Sequence, residues 1–421
     1  MPKSVALVSA VHPYPVDAGK KVVLAGIIDY YRDRLGAENV HYVLIGDGVG
    51  PQDFPVRLHP LSKPATSAAL GSVLTRVPTG RSSLQEALLR SASVAADIDH
   101  TLQNLDTDIE IFDTVRLAQY AGSERTRRQV CYLDDLFSER YRAMLDAARR
   151  YPDVRISPLG NFAAHVPRAL RPLADERHTQ RGLMRVERGL VRKSEDRAAR
   201  LFPRSLLVNQ REAEHLIRRA GVGDWKVQSI PPLIAEPGMH SREYGGAPEF
   251  IFLGLLSLPH NDDGLRSFLT SVWPLVLARV PGAKLRVLGR EPSGKLREAA
   301  ERFSQSVSLE GFVPDLGELF GRAAATINPL RFGSGIKLKV IEALGRGVPV
   351  VSTELGAEGI TSGASHGVLV ADEPAEFADV MVGLTSIRYN NEVSQAARAH
   401  FESTYSREAV FRRYDAAFDL S

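Results

Sequence analysis

Cysteine is nearly absent from this chain, and long apolar runs are absent altogether. Cys131 stands alone among 421 residues, so the chain cannot form an internal disulfide or a thiolate zinc site. No apolar run reaches the ~18 residues that a membrane-spanning helix needs. The segment VALVSAVHPYPV near the start is too short and too interrupted by proline for a signal peptide, and it predicts a strand followed by a loop. We therefore expect a cytoplasmic protein.

A strong charge of either sign is also missing. The 53 basic and 50 acidic side chains leave a formal charge of +3, which fits an anionic ligand and does not indicate a nucleic-acid partner. The chain contains no P-loop run, no G-x-S-x-G elbow and no His/Cys cluster with zinc spacing. Two D-x-D pairs, Asp97–Asp99 and Asp106–Asp108, precede a predicted strand instead of ending one, which favours solvated helix or loop positions. We expect no metal and no bound cofactor.

What the chain does contain is a regular alternation of short apolar strands and helices. The first half predicts strands at SVALVSA, NVHYVLIG, DIEIFDT, RQVCYLDD and SLLVN, and the second half at EFIFLG, KLRVLG, SVSLEGFV, ATINPL, VPVVST and GVLVAD. Nearly continuous apolar strands separated by helices are typical of parallel sheets covered on both faces. Eleven strands are too many for one doubly wound sheet, so we predict an α/β protein with two Rossmann-like domains.

The segment 231–249, PPLIAEPGMHSREYGGAPE, is polar, rich in proline and glycine, and lacks a sustained period. We place the domain boundary there, with a first domain over 1–231 and a second over 249–402. The last segment, 403–421, is amphipathic, and we expect this helix to pack back toward the first domain. Another long helix is predicted over 176–204, with a polar side dense in arginine.

The stretch RFGSGIKLKVIEALGRGVPVV carries the strongest functional pattern. Its Gly-Ser-Gly turn follows a predicted strand and lets the backbone approach a ligand closely. A helix starting at Ile336 would aim its free N–H groups at the same point and form an anion site. Lysines at the already positive end of a helix are unfavourable unless an anion binds there, so the pattern predicts a diphosphate. The residues concerned are Gly333, Ser334, Gly335, Lys337 and Lys339.

Glu342 lies three residues beyond Lys339, so the two side chains share a helix face. A carboxylate at this place could accept hydrogen bonds from ribose hydroxyls. The alternative is a surface lysine–glutamate pair, which contributes roughly a few tenths of a kcal/mol. The Gly-Ser-Gly turn before the pair and the strand GVPVVST after it favour the ribose contact.

These residues are part of a longer pattern. The segment INPLRFGSGIKLKVIEALGRGVPVVSTELGAEGI resembles the C-terminal motif of family 4 glycosyltransferases, which have the GT-B fold. The similarity extends to FIFLGLLSLPHNDDGLRSFL, KLRVLG and SLEGFVPDLGELFGRA, and so covers most of residues 249–372. The N-terminal half is only loosely similar, in a first strand followed by HPYPVDAGKK and a helix.

The resemblance implies two Rossmann-like domains that face a cleft, the second holding a nucleoside-diphosphate-sugar and the first holding the acceptor. It also implies sugar transfer with retention at the anomeric carbon and without a required metal. It assigns the diphosphate to the Gly-Ser-Gly turn and its two lysines, and the ribose to Glu342. The base would contact the backbone of Phe312 and Val313, and the turn at Gly19 would face the donor phosphates.

Two positions depart from the family pattern. The family often has a glutamate eight residues before the ribose glutamate, where this chain has Ser334. The family's Arg and Lys after the first strand of the second domain are missing from LGLLSLPHNDDG. The missing positive charge could come from Lys20, Lys21 or the two lysines of the Gly-rich turn.

Six further residues are candidates because they end or follow predicted strands. His12 could line the cleft, with a solvated loop histidine as the alternative. Asp113 fits either a catalytic cleft position or a helix cap, and Asp134 and Asp135 on the next strand have the same two alternatives. His260 and Asn261 follow the first strand of the second domain, where ligands bind in doubly wound sheets, and they fit a donor contact as well as a plain loop.

The basic helix 176–204 could contact an anionic lipid surface or a phosphorylated acceptor. Its interspersed acids, Glu176, Glu187, Glu195 and Asp196, favour a solvated face instead. A lipid contact would put the protein at the inner face of the membrane.

We therefore predict a glycosyltransferase that moves a hexose-type sugar to the hydroxyl of a glycan, a lipid-linked molecule or a small molecule. A sugar-nucleotide epimerase on the same architecture is one alternative. A non-catalytic subunit that binds a sugar nucleotide is another, which the missing Arg/Lys pair keeps open. Turnover of a donor would separate both enzymes from the subunit, and the need for an acceptor would separate the transferase from the epimerase.

Overall fold

The chain divides into two compact units. The computed structural model describes residues 2–16, 18–46, 54–122, 128–151, 177–237, 242 and 244–418. The first unit comprises Met1–Leu145, Ser157–Leu233 and Val410–Ser421, and the second comprises Asp146–Ile156 and Ile234–Ala409. The division after Leu233 falls inside the Pro/Gly-rich segment 231–249.

The first unit is built on a seven-stranded sheet in the order β3-β2-β1-β4-β5-β6-β7, with parallel neighbours throughout. Its strands are β1 (Val5–Ser9), β2 (Val40–Ile45), β3 (Arg57–Leu61), β4 (Ile109–Asp113), β5 (Arg128–Asp134), β6 (Arg204–Leu207) and β7 (Val227–Ser229). The helices that connect them are α1 (Gly19–Leu35), α2 (Thr66–Arg76), α3 (Leu84–Leu88), α4 (Ala92–Leu105), α5 (Thr114–Ala118), α6 (Phe137–Arg150), α7 (Arg177–Leu201) and α8 (Gln210–Ala220).

The second unit is built on a six-stranded parallel sheet in the order β10-β9-β8-β11-β12-β13. Its strands are β8 (Glu249–Leu253), β9 (Lys284–Leu288), β10 (Val307–Gly311), β11 (Ala325–Asn328), β12 (Val350–Ser352) and β13 (Val368–Val370). Its helices are α9 (Pro259–Ser271), α10 (Trp273–Arg279), α11 (Gly294–Glu301), α12 (Gly317–Arg322), α13 (Leu338–Gly345), α14 (Pro374–Gly383) and α15 (Ile387–Thr404).

The prediction of two doubly wound Rossmann-like sheets is confirmed, and all eleven predicted strands are present. Their near-continuous apolar sequences match their burial: every residue of β1, for example, is buried between helices on both faces. Two strands were not predicted. β3 contains Pro60 and lies at the sheet edge, where a missing N–H is tolerated, and β7 has only three residues.

Each sheet has a point where the order of its strands reverses. In the first unit this point lies between β1 and β4, and in the second between β8 and β11. Loops that leave two neighbouring strands in opposite directions open a crevice at the carboxyl ends of those strands. The two crevices are therefore where ligand-binding residues of each unit are expected.

The last helix, α16 (Arg407–Phe418), packs on α1 of the first unit. The ring of Tyr30 stacks on that of Tyr414, with 4.6 Å between centroids. Asp415 accepts hydrogen bonds from the guanidinium of Arg34 at 2.9 Å and from the hydroxyl of Tyr30 at 3.0 Å. The stacked tyrosine rings and the ion pair between Arg34 and Asp415 thus attach α16 to α1 of the first unit.

Helix α7 corresponds to the basic helix predicted over 176–204. The prediction that its acids lie on a solvated face is wrong for Glu187 and Glu195, which are both buried. Burial raises the pKa of each of these two carboxyls to about 7. Asp196 is half-buried and forms an ion pair with Arg219 at 2.6 Å. Glu176 lies outside the described residues.

Candidate functional site

The Gly-rich turn of the second unit connects β11 to α13 and lies beside the loop that leaves β8. Gly333 and Gly335 have φ angles of +128° and +74°, which glycine adopts far more easily than any other residue. The turn thus has the backbone conformation that the Gly-Ser-Gly pattern predicts. It stands at the carboxyl end of a central strand, at the strand-order reversal of its sheet.

The helix after this turn begins later than predicted. We expected it to start at Ile336, but α13 starts at Leu338, and Lys337 is the N-cap residue with extended backbone. Lys339 is therefore the one lysine in the first helical turn. Ile336 and Lys337 therefore belong to the turn. The side chain of Lys337 folds back and donates to the carbonyls of Ser334, at 3.1 Å, and Gly335.

Lys339 is at the centre of the candidate site. Its Nζ lies 3.0 Å from Oδ1 of Asn261 and 4.1 Å from the centroid of the Phe252 ring. Burial, together with the nearby charge of Lys337, holds the pKa of Lys339 well below its usual range. No described carboxylate lies within ion-pair distance of this ammonium. A half-buried cation without a counter-charge is unfavourable, and an anionic ligand would supply that charge.

His260 and Asn261 both lie in the first turn of α9, so they are helix residues and the plain-loop alternative is wrong. His260 faces the Gly-rich turn: a Cβ added at Gly333 would lie 3.8 Å from its Cβ. Burial and the charges of Lys339 and Lys337 lower the pKa of His260 to about 4. His260 is therefore neutral at physiological pH and can serve as a hydrogen-bonding group without adding to the positive charge.

A second contact between α9 and the turn was not predicted from the sequence. The guanidinium of Arg331 binds both carboxylate oxygens of Asp263, at 2.9 and 2.7 Å. A Cβ added at Gly264 would lie only 2.7 Å from the carbonyl oxygen of Pro329, so helix and turn are in direct backbone contact. The sequence could have predicted this pair from the positions of its two residues. Asp263 follows β8 and Arg331 follows β11, the two strands that flank the strand-order reversal.

The remaining predicted donor contacts lie in different environments. Glu342 is partly exposed on α13 and pairs with Arg346 at 3.3 Å, so its observed partner is not Lys339. The ring of Phe312 is exposed after β10, with the guanidinium of Arg290 at 5.1 Å from its centroid. Val313 is half-buried against the apolar core of the unit.

A separate charged cluster occupies the strand-order reversal of the first unit. Nζ of Lys20, on α1, lies 2.5 Å from Oδ1 of Asp113 and 3.4 Å from Oδ2 of Asp134. Oδ2 of Asp113 accepts a hydrogen bond from Ser9 Oγ at 2.7 Å. Burial alone would lower the pKa of Lys20, but the two carboxylates outweigh burial and raise it. In this structure Lys20 is neutralised inside its own unit.

Asp113 stands at the N-cap position of α5 without a capping bond from its side chain. Asp113 thus occupies the cap position, as the helix-cap alternative predicted, but its carboxylate binds Lys20 and Ser9 instead of the helix. Thr114 and Asp134, at the ends of β4 and β5, have positive φ angles of +66° and +71°. Such conformations are unusual for side-chain-bearing residues and concentrate at functional sites.

His12 and Gly19 flank the loop between β1 and α1. The prediction of a solvated His12 as the alternative to a cleft residue is wrong, because its Nε2 is buried and makes no hydrogen bond among the described residues. Its other ring nitrogen, Nδ1, lies 2.8 Å from the carbonyl oxygen of Tyr14. Gly19 is the first residue of α1, so the helix begins next to Lys20.

The D-x-D pairs lie away from strand ends. Asp97 and Asp99 are exposed on α4, and Asp106 ends that helix in a left-handed conformation. Asp108 accepts from the backbone N–H of Lys3 at 2.6 Å. Among the described residues, no group of three or more His, Cys, Asp or Glu is arranged to hold a metal ion.

Comparison with known proteins relates part of this chain to a described family by sequence. Residues 247–386 match the family model described as Glycosyl transferases group 1. An uncharacterized 44.6 kDa protein in the cps region of Klebsiella pneumoniae is 26% identical over 219 residues, which cover 50% of this chain and 54% of that protein. The chain thus spans about half the length of the curated relative it matches.

Solved structures give the fold of the whole chain. Anabaena Alr3699/HepE, crystallised with UDP and glucose, aligns over 99% of both chains at 13% identity, with a TM-score of 0.60. The sucrose-phosphate synthase of Thermosynechococcus elongatus aligns over 100% of both chains at 12% identity, with a TM-score of 0.64. The predicted GT-B fold and the resemblance to GT-B glycosyltransferases are confirmed.

Proposed function

We propose, on the premise that residues 247–386 form a group 1 glycosyl transferase domain, that the chain is a retaining, family 4-like glycosyltransferase. It transfers a sugar from a nucleoside-diphosphate-sugar to a hydroxyl acceptor and requires no metal. The second unit binds the donor, and the first unit binds the acceptor. Neighbours of the same fold were solved with UDP, which makes UDP-sugars the first donors to test.

One observation carries the proposal: Lys339 is a half-buried cation at a Gly-rich turn, and no described anion compensates it. A diphosphate bound at the turn would neutralise Lys339 and accept hydrogen bonds from the free N–H groups at the start of α13. The Lys337 side chain stabilises the turn by binding its carbonyls. Glu342, one turn further along α13, would accept hydrogen bonds from the ribose.

The same residues explain how transfer could proceed without a metal. The bond between the anomeric carbon and the diphosphate breaks while the bond to the acceptor oxygen forms. Negative charge grows on the departing diphosphate, which takes up the proton of the acceptor hydroxyl. A pre-positioned ammonium and backbone N–H groups stabilise that charge more than they stabilise the bound donor. Lys339 also lies beside Asn261, close to the loop that lacks the family's Arg and Lys, and would replace part of their charge.

In the first unit, we assign acceptor contacts to His12 and a positioning role to Asp113. The buried Nε2 of His12 makes no hydrogen bond among the described residues and could accept one from an acceptor hydroxyl. Asp113 holds Lys20 and Ser9, so it shapes the strand-end region without needing to touch the substrate.

The test has two stages. Thermal unfolding with UDP, GDP and ADP and with their common sugar conjugates identifies the donor, since a ligand that binds only the folded state raises the melting temperature. Release of the nucleoside diphosphate is then measured with candidate acceptors, with and without EDTA, and the anomeric configuration of the product is determined by NMR.

We expect release that depends on the acceptor, survives EDTA and gives a product with the donor's anomeric configuration. Release without any acceptor, accompanied by a change in the free sugar, would identify an epimerase. Nucleotide binding without turnover of any donor would identify a non-catalytic subunit. Loss of activity in EDTA that Mg²⁺ or Mn²⁺ restores would contradict the metal-free mechanism.

A further inference from the structure

Helix α7 separates its acidic and basic residues onto opposite faces. The carboxylate of Glu187 points inward and accepts the backbone N–H groups of Leu84, at 2.7 Å, and Gln85, at 3.1 Å. The carboxylate of Glu195 also points inward, where it binds Ser138 and the guanidinium of Arg219 at 2.7 Å. The acids of this helix are therefore used to attach it to the first unit.

The outward face of α7 is basic along its whole described length. None of the five exposed cations of this face forms an ion pair with a described carboxylate, and no acid of the helix is exposed between residues 180 and 201. Helical spacing places Lys193 and Arg197 on one line with Val186. The exposed cations of this face are Arg185, Arg192, Lys193, Arg197 and Arg200.

The turn between α2 and α3 adds further cations next to this face. A Cβ added at Gly80 would lie 3.8 Å from Nζ of Lys193, so the turn and the helix are neighbours. Burial and the positive charges of Arg90, Arg81 and Arg197 lower the pKa of Arg76. Several like charges thus converge on one surface, which is unfavourable unless an anionic partner binds there.

Exposed apolar side chains are interspersed with these cations. Val186 is 57% exposed, Leu201 is 72% exposed and Trp225 is 59% exposed. Leu201 and Trp225 lie at the same end of the helix, because Nζ of Lys226 donates to the carbonyl oxygen of Arg200 at 2.7 Å. In the described part of the chain, no helix is long and apolar enough to cross a bilayer.

We propose that the outward face of α7, with Trp225 beside its C-terminal end, binds the surface of an anionic lipid bilayer. Helices that lie in a membrane interface combine a basic surface with a few exposed apolar and tryptophan side chains. Lysine and arginine pair with the anionic headgroups, while Leu201 and Trp225 insert at the level of the acyl boundary. This proposal does not depend on the donor chemistry of the second unit.

The apolar side chains decide between a lipid surface and a nucleic acid. A polyphosphate backbone would be satisfied by the cations alone, and it would leave Val186 and Leu201 exposed to water. The bases of a nucleic acid could stack on the exposed ring of Trp225. Because Trp225 lies at the end of α7, such stacking would leave the residues along the helix without a contact. A bilayer satisfies both the charges and the apolar side chains.

The test is sedimentation with vesicles of phosphatidylcholine, alone or mixed with phosphatidylglycerol. We expect binding only to the mixed vesicles. The double variant Lys193→Gln/Arg197→Gln should bind about 25-fold more weakly, since each basic residue near an anionic surface contributes roughly fivefold. The matched control is Lys295→Gln/Arg297→Gln, which removes two exposed charges from α11 in the second unit and should bind like the unmodified protein.

Tryptophan fluorescence gives a second readout that a purely electrostatic contact would not produce. The chain has two tryptophans, and Trp273 is fully buried, so Trp225 reports on the surface. Its emission should shift to the blue with mixed vesicles and should not shift in Trp225→Phe. Equal binding by the double variant and the control would overturn the proposal, as would binding of single-stranded RNA with no retention on mixed vesicles.

Discussion

Nζ of Lys339 lies 3.0 Å from Oδ1 of Asn261, and this contact joins the two helices that follow the central strands of the second unit. α13 contributes the lysine and α9 contributes the amide, and the Gly-rich turn lies between them. Asn261 in turn donates from Nδ2 to the carbonyl oxygen of Leu255 at 2.8 Å, which fixes its orientation. The ammonium is therefore held in place before any ligand binds.

Lys339→Met should make the ligand-free protein more stable and should weaken nucleotide binding. Replacing a half-buried amine that has no described counter-charge by an apolar side chain should raise the melting temperature of the ligand-free protein. Nucleotide affinity should fall by about 1–3 kcal/mol, the scale of a charge-assisted hydrogen bond. Lys295→Met, at an exposed position of the same unit, is the control and should change neither quantity. Unchanged nucleotide affinity in calorimetry, with Lys339→Met folded, would contradict the diphosphate assignment.

Nucleotide binding should take up a proton. The folded-state pKa of Lys339 lies well below the 10.5 of an unperturbed lysine, so the unfolded chain binds this proton more readily and stability rises with pH up to that value. A bound diphosphate favours the charged form and raises the pKa again. Calorimetry in buffers with different ionisation enthalpies should show uptake of up to about one proton. The same experiment on Lys339→Met should show less uptake, and equal uptake in both proteins would exclude Lys339 as the source.

His260 should report the same change of charge by NMR. Burial and the two lysines lower its pKa to about 4, so its imidazole should titrate near that value in the free protein. Because the folded-state pKa is depressed, the stability linked to His260 is lost as the pH falls from its usual 6.5 toward 4. With a nucleoside diphosphate bound, the repulsion from the lysines is neutralised and the pKa should rise. A midpoint near 6.5 without ligand would show that His260 does not lie beside the lysines as described.

The sequence was sufficient for eleven of the thirteen strands and for the backbone conformation of the Gly-rich turn. Apolar strands buried on both faces give a continuous pattern, and the conformational demands of Gly333 and Gly335 are visible in the residue type itself. β3 was missed because Pro60 and its polar neighbours are tolerated at an edge. The sequence did not predict the late start of α13. The side chain of Lys337 binds the carbonyls of the turn, and a periodic sequence pattern does not reveal such a contact.

Local sequence patterns could not predict which charged residues form pairs with residues far away in the sequence. Glu187 and Glu195 are as polar as any surface acid, and only the partners brought from α3 and α8 make their burial possible. Lys20 was expected to supply charge for the donor, yet Asp113 lies 93 residues away in sequence and binds it. Such partners become neighbours through strand order, which the sequence predicts only in outline.

The pair of Lys20 and Asp113 should be strongly coupled. Asp113→Asn leaves a mostly buried ammonium with only the Asp134 carboxylate, at 3.4 Å, and should destabilise the protein by about 2–3 kcal/mol. Lys20→Met/Asp113→Asn should cost less than the sum of the two single changes, which a double-mutant cycle in urea measures. Since the pKa of Lys20 is raised, its stabilisation is present below 10.5 and is lost as the pH rises through the folded-state value. Additive effects would mean that the pair contributes no coupling.

Gly264→Ala should weaken nucleotide binding without touching any ligand-binding side chain. The added Cβ would lie 2.7 Å from the carbonyl oxygen of Pro329, a backbone atom that can move only with the turn that follows β11. We expect a loss of stability of about 1–3 kcal/mol from overpacking and a severalfold loss of nucleotide affinity, because the Gly-rich turn is pushed away from α9.

Gly294→Ala is the matched control, because an added Cβ at the start of α11 meets nothing within 4 Å. This variant should bind nucleotide normally and should be as stable as the unmodified protein or slightly more stable, since alanine loses less backbone entropy in a helix. Urea unfolding and calorimetry measure both quantities for both variants. If Gly264→Ala lost stability but bound nucleotide as tightly as Gly294→Ala, the turn would not depend on its backbone contact with α9 to hold the diphosphate.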